Sequence, residues 1–214
     1  MPLVHPSTIL VAGPTGCGKT KFVAQLITCN MIQPASDRII WVYNEWQAEY
    51  DQLMQTMSHI EFMKDFDKNL YDSIDSKKRN LIILDDQMGN ARDSTTLTKF
   101  FTQGSHHKNL TIIYIVQNLF DQGKAMRTVS LNSQYLVLFK NPRDKTQVRI
   151  LGQQAFPGNV QFLSSAYEDA TSQPYGYLLV DMRPEVEEQY RVRTKIFDEF
   201  PIVYVPSRVS SKFL

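Results

Sequence analysis

Gly13-Pro14-Thr15-Gly16-Cys17-Gly18-Lys19-Thr20 is the stretch that decides how this chain is read. The octet fits G-x-x-x-x-G-K-[ST], the pattern of a loop that cradles phosphates. Before it, Ser7-Thr8-Ile9-Leu10-Val11-Ala12 is a short apolar, β-branched run that predicts a buried strand. After it, Phe22, Val23, Leu26 and Ile27 recur at helical spacing between Lys21 and Asn30. A chance glycine-rich turn would lack this context of strand before and helix after. Glycines let backbone amides approach an anion with no Cβ in the way, and a helix starting near Gly18 adds unpaired N–H groups. Residues 13–20 are therefore the candidate phosphate contacts, with Lys19 reaching the β and γ phosphates of ATP and Thr20 placing its hydroxyl on Mg²⁺.

Outward from the loop, apolar runs alternate with helical patterns, which predicts an α/β domain with a mostly parallel sheet. Strands are expected at Arg38–Tyr43, Asn80–Asp86, Leu110–Gln117 and Tyr135–Phe139. The stretch from Gln47 to Asp75 reads as irregular helical segments. Helices are expected over Ser94–Gln103, with Ser94 as N-cap, and over Asp144–Leu151 and Val160–Thr171. A late hairpin over about 175–197 closes a domain spanning 1–199, and the Pro-punctuated residues 200–214 read as a tail or arm.

The strand Leu81-Ile82-Ile83-Leu84 ends in Asp85-Asp86. Two carboxylates on a buried strand are costly unless they face a site, and open α/β sheets bind ligands beyond the C-terminal ends of their strands. Asp85 is the candidate Mg²⁺ partner, through water, and Asp86 the group that polarises the attacking water. An aspartate-capped turn is the alternative. Gln117 should fall on the same edge, where a neutral amide can bond the γ-phosphate and the attacking water together; the alternative is an amide that merely finishes a strand.

Composition bounds the rest. The 214 residues are 43% hydrophobic and 21% charged, those of an ordinary globular protein. No apolar run is long enough to span a bilayer, and Met1–Pro6 lacks the basic start and apolar core of a secretory signal. A net charge of +1 leaves no global field for nucleic acid, so DNA contacts would be local or built by repeating a few cations around an oligomer. Cys17 and Cys29 read as free thiols, with Cys17 expected to have a lowered pKa near a helix N-terminus. His106-His107 diverge too far to share a metal and are expected to shape the turn before the next strand or to meet a neighbouring subunit. An arginine acting in trans is a common need of such a site; Arg127 is the first candidate, followed by Arg143 and Arg193.

With these elements in place, the sequence resembles the FtsK–HerA superfamily of P-loop motors, and more narrowly the poxvirus-type and Maverick/Polinton-like genome-packaging ATPases. The likeness rests on Ala12–Thr20, Leu81–Asp86, Gly104–Asn109 running into Ile115-Val116-Gln117-Asn118-Leu119-Phe120, then Arg127, Leu131-Asn132-Ser133 and Leu138–Asp144. It covers roughly residues 7–155, with weaker likeness over Tyr177–Phe197. The phosphate loop is shared by many families; the Asp-Asp ending, the His-His turn and the Gln-Asn strand end are more discriminating. The resemblance implies a P-loop core of the additional-strand (RecA-like) type, with the Gln117 strand between the loop strand and the acidic strand and helices on both faces. It further implies a hexameric ring that threads double-stranded DNA into a preformed capsid, at a capsid vertex or portal-like protein, inside the host cell at the site of virion assembly. It carries the sensor role onto Gln117 and the trans arginine onto Arg127. Lys99, Lys108, Lys124 and Lys140 are candidate pore cations gripping the DNA backbone. Competing readings are a small nucleoside or nucleotide kinase and a DNA-segregation or conjugation motor.

Overall fold

The computed structural model describes residues 1–67, 69–85, 95–119 and 124–206, the side chains of His106 and Lys124 apart. Asp86 and Ser94, both singled out above, lie outside the described residues. The chain opens with β1 (Leu3–Val4) and β2 (Thr8–Ala12), then α1 (Lys19–Thr28), β3 (Ile32–Gln33) and β4 (Arg38–Tyr43). Next come α2 (Ala48–Thr56), β5 (Ile60–Lys64), β6 (Asn80–Asp85) and α3 (Thr95–Lys99). A π-helical turn (Phe100–Gly104) leads into α4 (Ser105–His107), and β7 (Leu110–Val116), α5 (Lys124–Leu131), β8 (Tyr135–Phe139) and α6 (Thr146–Ala155) follow. The chain ends with α7 (Val160–Ala170), β9 (Tyr177–Asp181), β10 (Val192–Thr194) and β11 (Ile202–Tyr204).

Among the described residues the sheet has nine strands in the order β11-β10-β9-β8-β2-β7-β6-β4-β5, parallel from β8 to β5. The last three strands, β9, β10 and β11, run antiparallel in turn. β7 thus lies between the loop strand β2 and the acidic strand β6, as the resemblance implies.

Strands covered on both faces must be apolar at every position. Ile9, Val11, Trp41, Ile83 and Ile113 pack under α1 and α2, against Phe22, Val23, Leu26 and Leu53. Leu10, Val42, Leu84, Ile112 and Leu138 meet Leu97, Phe100, Met126, Val148 and Leu163 from the helices of the other face. Helices therefore cover both faces. Among the described residues no helix is long and apolar enough to cross a membrane.

Three expectations need correction. The stretch after Gln47 contains a strand as well as a helix: β5 pairs parallel with β4, and Arg38 of β4 bonds Glu61 of β5 at 2.8 and 2.7 Å. An edge strand can alternate charge with apolar residues, so its sequence loses the buried-strand look. The stretch after Phe200 is more than a tail, because β11 adds to β10, and the Tyr204 hydroxyl donates to Asp169 at 2.6 Å. His107 ends a helix instead of shaping an open turn: Lys108 N–H donates to Gly104 O at 3.0 Å, and Asn109, at φ 47°, terminates the element in the left-handed region.

Candidate nucleotide site

The loop leaves β2 at the C-terminal edge of the parallel strands, tied there by Gly13 N–H donating to Val116 O at 3.2 Å. Gly13 has no room for a side chain, since a Cβ would lie 2.6 Å from Phe139 Cβ and 2.8 Å from Cys17 Sγ. Gly18 sits at φ 102°, in the left-handed region open to glycine, and caps α1 without a side-chain bond. With no side-chain cap at Gly18, the N-terminus of α1 turns its amides and the positive end of the helix dipole toward the loop.

Side chains from distant elements converge on this cradle. The Lys19 ammonium donates to the carbonyls of Gly13 at 2.7 Å and Pro14 at 3.0 Å, so it lies back along its own loop. The Thr20 hydroxyl donates to Asp85 Oδ2 at 3.2 Å, which brings the loop and the end of β6 together. Asp85 is 2% exposed, and the Tyr50 hydroxyl from α2 donates to the same oxygen at 2.8 Å. Burial first, then the Asp85 charge, pushes the Tyr50 phenol well above its ordinary range, so it stays a proton donor. A cleft of ≈ 190 Å³ over the loop is lined by Gly16, Gly18, Lys19, Thr20 and Lys21, and also by Gln47, Glu49 and Tyr175.

Gln117 follows Val116, the partner of Ala12 in the β2–β7 pairing, and borders a small cavity with Gly13, Asn141, Asp144 and Gln147. The amide therefore stands on the edge that carries Gly13 and Asp85. Gln147 holds this corner, accepting from Leu119 N–H at 2.8 Å and donating to Asp144 at 2.8 Å.

The other candidates separate. Cys17 is half-buried, and burial pushes its thiol up, against the expected lowering; desolvation outweighs Lys19. Arg127 is exposed in the first turn of α5, and Arg143 is exposed in the loop after β8. Arg193 is 2% exposed and donates to Asp181 at 2.8 Å, so it is a buried structural partner and cannot reach a neighbour. Lys108 bonds Ile74 O at 3.4 Å and lies over the Tyr71 ring, beside the opposite end of β7. Lys99 and Lys140 are exposed. Among the described residues no cluster of three or more His, Cys, Asp or Glu could hold a metal by itself.

Tyr50, Gln47, Glu49 and Tyr175 are site residues that sequence reading misses. Only Tyr50 carried a faint signal, as one of the aromatic residues crowded between Trp41 and Phe62.

Fold and edge together define a class: the chain has the fold of a RecA-like P-loop ATPase, with the loop strand, the amide strand and the acidic strand adjacent. No protein-family model matches the sequence, and no curated protein matches it. Among solved structures, it is similar to B204, the DNA-packaging ATPase from Sulfolobus Turreted Icosahedral Virus. The TM-score is 0.60 at 12% identity, covering 88% of this chain and 96% of that one. It is also similar to the genome packaging NTPase B204 from Sulfolobus turreted icosahedral virus 2. In complex with ATP-gammaS that protein matches with a TM-score of 0.55 at 12% identity, over 88% of this chain and 96% of that one. In complex with sulfate it matches with a TM-score of 0.58 at 12% identity, over 88% and 95%.

Proposed function

We propose that this chain is an ATP-hydrolysing motor that moves double-stranded DNA, working as a hexameric ring to package a genome into a preformed capsid inside the host cell. The observation that carries the reading is the Thr20–Asp85 contact of 3.2 Å at the mouth of a cradle that a Cβ at Gly13 would fill. A hydroxyl and a carboxylate are the hard oxygen donors that suit Mg²⁺ held between protein and phosphates, so the residues fit Mg·ATP. Bound there, the ion would neutralise charge building on the triphosphate.

The chain's own groups divide the work. Loop amides of Thr15, Gly16, Gly18, Lys19 and Thr20 would hold the phosphates, and the Lys19 ammonium would reach the β and γ oxygens. Thr20 and Asp85 would hold the ion, with Tyr50 fixing the Asp85 carboxylate. Gln117 orients the attacking water against the γ-phosphate, and Asp86 takes its proton. Hydrolysis at a subunit boundary would then shift the balance between two arrangements of neighbouring subunits. The B204 likeness supports this choice over other P-loop chemistries through the fold, across nearly the whole length of both chains.

The test is whether the purified chain forms rings whose ATPase activity rises with double-stranded DNA and falls with salt. A chain that instead passes the γ-phosphate to a nucleoside or nucleotide is a kinase, and the motor reading is lost.

A further inference from the structure

A second cleft, of ≈ 300 Å³, opens beside the phosphate cleft and shares Gly18, Lys21 and Tyr175 with it. Its walls are mostly aromatic. Phe22 of α1, Tyr177 of β9 and Phe197 pack edge to face, with ring centroids 4.6 Å (Phe22–Tyr177) and 5.2 Å (Phe22–Phe197) apart. The Tyr177 hydroxyl is already committed, accepting from Ile196 N–H at 2.9 Å. Such a cleft is large enough for a small ligand and poor in groups that could read one.

Tyr175 forms the wall common to both clefts, and its backbone shows that it is held there. Gly176 N–H donates to Gln173 O at 3.1 Å, closing a turn with Pro174 second and Tyr175 third at φ 62°. That third position favours glycine or asparagine, and a bulky residue in it is strained. The residue that closes the turn must be glycine, because a Cβ on Gly176 would lie 2.3 Å from Ala170 O. The strain presents a ring that is 68% exposed and rests over the phosphate loop, 3.1 Å from where a Gly18 Cβ would be. An exposed aromatic ring kept on a strained turn at the mouth of an apolar cleft has no packing role that a glycine would not fill at lower cost.

Resting on the nucleotide reading above, we infer that this cleft is the base subsite. Tyr175 is its stacking wall, and the ligand class is nucleoside triphosphates taken with little discrimination between adenine and guanine. Stacking is indifferent to base identity because every base has a π-face. Strong discrimination needs buried polar groups that are left unpaired by the wrong ligand. The polar side chains of this cleft, Lys21 and Gln25, are both exposed.

The experiment measures the affinity of the full chain, with Mg²⁺, for ATP, GTP and inorganic tripolyphosphate, in the wild type, Tyr175→Ala and Tyr175→Phe. ATP and GTP are expected to bind within about tenfold of each other. Tyr175→Ala should weaken both by about 5- to 100-fold and tripolyphosphate, which has no base to stack, by less than about threefold, and Tyr175→Phe should match the wild type. Retained tripolyphosphate binding also shows that the variant's loop is folded; equal weakening of all three ligands would place Tyr175 on the phosphates and overturn the base subsite. Wild-type ATP affinity in Tyr175→Ala, or a preference for ATP over GTP beyond about a hundredfold, overturns the proposal and leaves the phosphate-loop reading standing. A wild-type chain that binds nucleotides and tripolyphosphate not at all sinks both.

Discussion

The Tyr50 hydroxyl donates to Asp85 Oδ2 at 2.8 Å, on the same oxygen that accepts from Thr20 at 3.2 Å. A carboxylate that would hold a metal is thus fixed by two hydroxyls, one from α1 and one from α2. Hydrogen bonds to a charged group are the stronger kind, worth about 1.5–3 kcal/mol. Tyr50→Phe keeps the ring among Trp41, Tyr43 and Phe62 and removes the hydroxyl from Asp85. It is expected to cost about 1–3 kcal/mol of stability and to raise the Mg²⁺ concentration needed for half-maximal ATPase. Nucleotide-free tripolyphosphate binding without Mg²⁺ should not change. Unaltered Mg²⁺ dependence in this variant would reduce Tyr50 to a packing residue.

Cysteine labelling tests the loop from another side. Burial raises the Cys17 thiol, and its sulfur already lies 2.8 Å from where a Gly13 Cβ would be. Cys29 is exposed. Alkylation at neutral pH should therefore reach Cys29 first, and Cys17 should react slowly and speed up as pH rises, because the thiolate is the nucleophile. An adduct on Cys17 crowds the cradle, so ATPase loss should track that second modification, and ATP should slow it. Mass spectrometry of partly labelled protein decides the order; Cys17 modified first would contradict the burial argument.

Stability should fall in mild acid through His5. Its ring is 4% exposed, pairing with Thr111 Oγ1 at 2.8 Å and Asn109 Oδ1 at 3.1 Å. Desolvation lowers its pKa from the ordinary 6.5; the Asn109 bond and Asp37 oppose this, and Arg79 adds to it. The folded state then binds fewer protons than the unfolded chain just below that value. The contribution is complete above about pH 6.5 and is lost as pH falls through the folded pKa. Denaturant midpoints at pH 7.5 and 5.5 should differ more in the wild type than in His5→Gln. Equal differences would remove His5 from the account.

What the sequence made legible follows from how local each signal is. The loop, its strand and its helix are contiguous, so Gly13–Thr20 announces the site without tertiary information. That Asp85 and Gln117 share an edge is readable because each ends an apolar strand, and parallel strands bring their C-terminal ends to one edge. β5 was hidden by Glu61 and Lys64, which an edge strand tolerates and a buried one does not, and β11 by its three-residue length. Tyr50 acts across 35 residues of chain, and Tyr175 acts through a turn conformation unusual for its residue type, so no spacing rule finds either.

The proposed motor would need one further element, an arginine supplied in trans. Arg193 is excluded by its buried bond to Asp181 at 2.8 Å, which leaves Arg127 in α5 and Arg143 after β8, both exposed. An arginine that meets a neighbour's triphosphate acts only in the assembly, so its loss should spare ATP binding and lower DNA-stimulated turnover by about 10³-fold or more. Arg127→Ala is expected to show this split, and Arg143→Ala to retain stimulation. Doping the Arg127→Ala ring with Lys19→Ala subunits, whose arginine is intact and whose own site is dead, should restore turnover at the mutant sites. If Arg127→Ala keeps full stimulation and Arg143→Ala loses it, the role passes to the loop after β8; stimulation kept by both variants would mean that neither arginine crosses the subunit boundary.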